Sequence, residues 1–350
     1  MNTTTIVGAG AIGGTIGAYL SRAGQAVRLV DRDEAHVAAM REGGLTIRGF
    51  AETFTVTVDA RTPAELSEEL GMILLAVKAQ HTAEALATIA HLLTPRSTIV
   101  SLQNGLCERI IAQAVGPERT IGSFVNFSAD YLAPGVIAYG GPGSLYLGEL
   151  DGRASDRVRM LQQQLSPWGA ATVTGNIWGY LWGKMGYANM LFATALADET
   201  MADVIDRYRP LMVELASEVY AVATRENVAI EPFDNVEPGL YYPPEGRDAA
   251  AIARSLDALV ARRRRDGKSK SGIWRDLAVR RRKTEVDQQI GLVAEIGATH
   301  GLPMPLTRAL VSMIHELEDG RRAMSWANLD TLDTLRRTTS TEGGVPGPPG

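Results

Sequence analysis

From residue 3 to about residue 115, short apolar, β-branched runs alternate with stretches in which apolar side chains recur every three to four positions. TTTIV, AVRLV, LTIRGF, FTVTVDA, MILLAVKA and STIVSL read as strands, and the spacing between them predicts helices over 12–22, 34–42, 82–92 and 107–114. Apolar strands alternating with helices build a parallel sheet covered on both faces, so the expected class is α/β, doubly wound. Between 119 and 150 strand-like runs follow one another across Pro-Gly and Gly-Pro turns, which predicts antiparallel strands finishing that sheet. From 155 the alternating signal gives way to helical periodicity up to about 337, interrupted by a loop over 231–248 and a polar connection over 261–272. The expected organisation is a sheet domain over 1–152, an all-helical domain over 153–337, and a disordered tail over 338–350.

At 350 residues and 45% hydrophobic content the chain can bury two such cores. Its formal net charge of -5 gives no electrostatic ground for general binding to nucleic acid or an anionic membrane. The one cysteine, Cys107, excludes an intrachain disulfide and a multi-cysteine zinc site, and it suits a reducing cytoplasm. No apolar run is long enough to span a bilayer, and the first apolar run is broken by glycines and has no basic leader of a secretion signal. A cytoplasmic protein without nucleic-acid, membrane or metal partners is expected.

GAGAIG, at 8–13, fits G-x-G-x-x-G, a spacing that gains meaning only between a strand and a helix, and here both flank it. In a Rossmann βαβ unit Gly8 serves the tight turn, Gly10 lets a pyrophosphate approach the backbone, and Gly13 lets the helix pack on the strand. Ala11 and Ile12 complete the loop, whose N–H groups open a helix suited to an anion. Asp31 ends the second strand, where a carboxylate accepts from ribose hydroxyls and favours NAD; Arg32 follows at once, and an arginine there pairs with the 2′-phosphate of NADP. Both cofactors stay open with NAD slightly ahead, and FAD, which uses the same loop, fits a chain of this length poorly.

Ligands of doubly wound sheets bind beyond the carboxyl ends of the strands, where LLAVKAQ and VSLQNG place Lys78 and Asn104. Each has an equally good bland reading, as an exposed lysine and as a turn residue before Gly105. In the helical half, Leu181, Trp182, Met185, Ala188, Leu191, Phe192 and Ala195 fall on one helical arc with Lys184 inside it. A lysine among apolar neighbours surrenders its proton more readily, unless it extends its stem to solvent. Glu285 likewise falls in the arc of Val286, Ile290, Leu292, Val293 and Ile296, where it needs a partner: a lysine, a ligand hydroxyl, or Arg281 as a simple helix pair. Arg262–Arg265 and Arg280–Lys283 read as solvated basic faces, with a carboxylate-binding role for Arg275 or one of these arginines as the alternative.

GAGAIGGTIGAYL, LLAVKAQ, LQNG, WGKMGYAN, RRRKTEVDQQIG and HGLPMPLTRAL, in this order and spacing, resemble the ketopantoate reductase family of 2-oxo acid reductases over residues 3–320. The resemblance implies a Rossmann domain joined to a helical domain. It also implies that Lys184 protonates the substrate carbonyl, that Glu285 holds the substrate hydroxyl or the lysine, and that Asn104 and Lys78 stand beside the cofactor. Two positions depart from the family pattern. Ala188 stands four residues after the lysine, where an asparagine is usual, and Asn189 comes one later, about 140° round an ideal helix from Lys184. Asn189 reaches substrate only if a π-bulge absorbs the extra residue. The family's serine is matched by Ser271 at altered spacing. The expected activity is NAD(P)H-dependent reduction of a 2-oxo acid, ketopantoate by default, in a possible homodimer. Another 2-oxo acid, an imine, or a non-catalytic dinucleotide sensor are the alternatives.

Overall fold

A computed structural model describes residues 3–265 and 269–342. The chain divides into two compact units, Met1–Leu181 and Trp182–Gly350.

The first unit runs β1 (Thr4–Val7), α1 (Ala11–Arg22), β2 (Val27–Val30), α2 (Glu34–Gly43), β3 (Leu45–Gly49), β4 (Thr53–Val56), β5 (Asp59–Arg61), β6 (Leu70–Leu75), α3 (Thr82–Ile89), β7 (Leu93–Ser101) and α4 (Cys107–Val115). It continues through β8 (Thr120–Asn126), β9 (Ala129–Ala133), β10 (Val136–Tyr139), β11 (Ser144–Glu149), α5 (Asp156–Leu165) and β12 (Thr172–Val173). Eight strands pair in the order β12-β11-β8-β7-β6-β1-β2-β5, and every pair but β8 with β11 is parallel. Alternation sends Ile6, Leu29, Leu74 and Val100 into one core and Val7, Val30, Leu75 and Ile99 into the other. Both faces are therefore buried, at about 1.5–3 kcal/mol per fully buried aliphatic side chain.

The run 119–150 does not all finish this sheet, as the turn signals suggested. β8 and β11 do, Phe124 opposite Tyr146, but β9 and β10 leave it. They join β3 and β4 in a second sheet of order β4-β3-β10-β9, with Ile137 of β10 parallel to Ile47 of β3. The reason lies in their burial: β3 and β10 alternate buried and half-open positions, suited to a sheet with one covered face, whereas β1 and β2 are buried throughout. The compact unit also extends beyond the division expected at 152, because α5 and β12 pack on the sheet, Tyr146 of β11 pairing with Thr172.

α6 (Ile177–Thr194) carries the chain into the second unit, followed by α7 (Met201–Arg207), α8 (Arg209–Arg225), α9 (Ala249–Arg265), α10 (Gly272–Trp274), α11 (Leu292–Thr299), α12 (Pro305–Glu318) and α13 (Trp326–Glu342). Its core centres on α8, whose Leu211, Leu215, Val219 and Val222 are fully buried. Two features differ from the sequence reading. α9 takes in the start of the polar connection expected over 261–272, residues 266–268 lying outside the described residues. α13 continues through Glu342, into the stretch expected to be a disordered tail; 343–350 lie outside the described residues. No helix among the described residues is long and apolar enough to cross a membrane.

Candidate active site

From β1 the sheet builds one way through β2 and β5 and the other through β6 and β7, so the switch of direction lies between β1 and β6. A crevice at the carboxyl ends of these strands is where such sheets take ligands. Gly8 leaves β1 at φ 97, and a Cβ there would lie 2.6 Å from Val77 N, so only glycine lets this turn pass beneath the strand end of β6. A Cβ on Gly13 would fall 2.1 Å from Gly8 O, so α1 packs as closely as the spacing predicts. At Gly10 a Cβ would meet nothing within 4 Å. That open approach, with no acidic residue in the first turn of α1, suits a pyrophosphate. The first bond inside α1 runs from Gly14 N–H to Gly10 O, which leaves the N–H groups of Ala11, Ile12 and Gly13 without a partner within the helix.

Lys78, partly buried, follows β6, and Asn104, exposed, follows β7. The sequence reading missed what holds them. The amide of Gln103 donates to Val77 O and to Thr82 Oγ1, both at 2.8 Å, tying the Lys78 loop to the Asn104 turn. Cys107 is a buried thiol that donates to Asn104 O at 3.3 Å. The LQNG run carried the signal, in an uncharged polar residue at the end of an apolar strand.

Asp31 takes two backbone N–H groups, one on each oxygen, and each oxygen keeps a lone pair for a further donor. Its Oδ2 accepts the Ala9 N–H at 2.8 Å and its Oδ1 the Asp33 N–H at 3.0 Å, so it braces the glycine loop. Arg32, its side chain 65% exposed, lies 3.1 Å from His81 Nε2 and 3.6 Å from Glu84.

In the second unit, α6 is buried on most sides, and Lys184, Ala188 and Leu191 share its partly open stripe. Lys184 thus lies within the apolar arc, on the side of it that is partly open. A Cβ on Gly186 would lie 2.2 Å from the Tyr220 ring, so α6 and α8 pack too closely to leave that side open. α6 is regular α-helix throughout, with no π-bulge to bring Asn189 round. Asn189 is fully buried and its amide donates to Leu215 O and Thr307 Oγ1, both at 2.8 Å. The substrate role expected of Asn189 gives way to a core hydrogen bond. Ser271 is buried and accepts the Trp274 N–H at 3.1 Å as the cap of α10.

Glu285 is 7% exposed while Asp287 and Glu295 point out, as the periodicity predicts. The Arg281 helix pair does not form, because 281–284 is non-helical and Arg281 has φ 47. Instead Thr284 is fixed by Glu318, which accepts its N–H and its hydroxyl at 2.7 Å, and Asp287 is held by His315 at 2.8 Å. π-helical turns at Arg275–Val279 and Asp287–Gly291 flank Glu285, a feature enriched at functional sites and invisible in the sequence. The basic runs are bonded rather than simply solvated: Arg263 donates to Tyr187 Oη, Arg264 pairs with Asp206, and Arg280 and Arg282 converge on buried Asp276. No group of three or more His, Cys, Asp or Glu among the described residues could hold a metal.

The chain matches two family profiles: ketopantoate reductase PanE/ApbA over residues 4–152, and ketopantoate reductase PanE/ApbA C terminal over residues 176–318. A 2-dehydropantoate 2-reductase of Mesorhizobium japonicum is 28% identical over 341 residues, spanning 89% of this chain and 97% of that protein. A PanE/ApbA family ketopantoate reductase from Ralstonia eutropha JMP134 superposes with a TM-score of 0.73 at 25% identity, covering 91% of this chain and 99% of that one. The ternary structure of D-mandelate dehydrogenase with NADH and anilino(oxo)acetate shares the fold, with a TM-score of 0.77 at 22% identity and the same coverage of both chains.

Proposed function

Because the chain belongs to the ketopantoate reductase family, matched in both of its parts, we propose that it reduces a 2-oxo acid to the 2-hydroxy acid with a nicotinamide dinucleotide. Ketopantoate, giving pantoate, is the first substrate to test. The observation that carries this reading is the glycine loop at the β1–β6 switch, with open space at Gly10 and with Lys78 and Asn104 following the neighbouring strands β6 and β7. The glycine loop, Gly8 to Gly13, would hold a nicotinamide dinucleotide, which would supply the hydride. Lys184 gives a proton to the carbonyl oxygen and offsets the alkoxide charge as it develops. Glu285 holds the substrate hydroxyl or the lysine, and Asn104 orients the group beside it.

NADP(H) is the cofactor we favour, against the first indication from Asp31. The support is Arg32, which follows Asp31 with its side chain 65% exposed and a loose 3.6 Å pairing with exposed Glu84 to give up for a 2′-phosphate. A second substrate reading rests on the open stripe of α6, where Ala188 and Leu191 follow Lys184 and Asn189 is turned away into the core. This favours a 2-oxo acid with a bulky apolar side chain over a hydroxylated one. A cytoplasmic homodimer is the working form we propose.

The test is NADPH and NADH oxidation against a panel of 2-oxo acids that includes ketopantoate and aryl and branched analogues. Turnover with a kcat/KM preference for NADPH is expected, and Lys184→Met should lower kcat by about 10²–10⁴-fold with dinucleotide affinity kept. Arg32→Ala should weaken NADPH but not NADH. Dinucleotide binding with no turnover on any acid would identify a sensing protein instead.

A further inference from the structure

His36 takes no part in the chemistry above, yet it is 1% exposed and touches the loop on which that chemistry depends. It stands at the third position of α2, where Asp33 caps the helix and accepts the His36 N–H at 3.2 Å. That start turns His36, Val37 and Met40 inward. Nδ1 of the ring lies 2.9 Å from Gly135 N, and Nε2 lies 2.9 Å from Ala9 O. A backbone N–H only donates and a carbonyl only accepts, so the ring carries its proton on Nε2 and offers a bare Nδ1. Tyr131 closes over the ring edge to face at 5.0 Å. Its hydroxyl, pushed up to about 12 by burial and then by the Asp33 charge, stays protonated and donates to Asp33 at 3.3 Å.

Ala9, fully buried, sits between Gly8 and Gly10. Its N–H donates to Asp31 and its carbonyl accepts from His36, so side chains hold both polar groups of the residue that aims Gly10 and the first turn of α1. Gly135 belongs to the turn before β10, and its carbonyl accepts the Thr46 N–H of β3 at 2.8 Å. We infer that His36 is a positioning residue for the dinucleotide: through Ala9 O and Gly135 N it ties the glycine loop to the four-stranded sheet and fixes the N–H groups that receive the pyrophosphate. This rests on the dinucleotide reading above.

The test compares full-length wild type with His36→Leu, which fills the space without bonding, and His36→Gln, which carries one donor and one acceptor on a chain of similar reach. Loss of a buried hydrogen bond predicts a dinucleotide Kd and KM raised about tenfold in His36→Leu. The kcat at saturating cofactor should change less than threefold, and His36→Gln should recover most of the affinity. Ring ¹⁵N shifts of wild type should report the Nε2–H tautomer, a readout that needs no variant to fold. Equal affinity in wild type and His36→Leu, or an Nδ1–H tautomer, overturns the inference. A wild type that binds no dinucleotide overturns the functional reading and this one with it.

Discussion

Gly10 and Gly13 occupy one loop and face opposite demands. At Gly13 a methyl would press on the Gly8 carbonyl, which is backbone and cannot turn aside, so Gly13→Ala should destabilise the fold by about 1–3 kcal/mol. At Gly10 nothing opposes a methyl, so Gly10→Ala should leave stability within about 0.5 kcal/mol of wild type while weakening the dinucleotide, whose space the methyl takes. Thermal melts paired with a fluorescence titration of the cofactor separate the two. A Gly10→Ala protein with unchanged affinity would remove the pyrophosphate from that position. The sequence predicted both roles because they follow from a short local pattern. It misjudged Asn189 for the complementary reason: which donor or acceptor reaches a side chain depends on segments far along the chain, and here Thr307 claims Asn189 across 118 positions.

At the scale of elements, α12 begins without a side-chain cap of its own and with Met304 in the left-handed region, yet its N-terminus is satisfied. Glu218 of α8 accepts the N–H groups of Leu306 and Thr307 at 2.9 and 2.8 Å and the Thr307 hydroxyl at 2.6 Å, and Thr307 in turn accepts from Asn189. One carboxylate therefore links α6, α8 and α12, which accounts structurally for part of the HGLPMPLTRAL motif. Glu218→Ala should cost about 1–3 kcal/mol, from the donors it leaves buried. Urea unfolding should show a lower midpoint at an unchanged slope, and a midpoint equal to wild type would refute the linkage. The sequence predicted the central helices and strands to within a few residues, since each carries its own periodicity. It did not show that β9 and β10 desert the main sheet, nor the π turns around Glu285, because strand pairing and helix register are settled by what lies alongside.

For the whole molecule, the acid limit of stability follows from pairs such as Glu149 with Arg157. Glu149 ends β11 with its side chain 2% exposed; Arg157 meets it at 2.7 and 2.5 Å, and the Ser155 hydroxyl donates at 2.5 Å. Burial pushes its carboxyl up, but the Arg157 and Ser155 hydrogen bonds outweigh that and hold it below the usual carboxylate range. With the folded value lowered, the unfolded chain takes up the proton first. The contribution is thus complete above pH of about 4.3, the unfolded value, and is lost as pH falls through the folded one. Glu149→Gln should cost about 3 kcal/mol at neutral pH and flatten the fall in stability towards acid. Denaturation midpoints between neutral and acidic pH test this, and parallel curves for the two proteins would exclude it. By itself the sequence determined the α/β class, the helical second half and the glycine loop, all of which are set by side-chain spacing along a single element. Only the tertiary structure decided that there are two sheets, that Asp31 braces a loop, that Asn189 is spent in a core and that His36 spans 99 positions to Gly135. Those outcomes depend on which distant groups meet in space, and periodicity within one element carries no record of its neighbours.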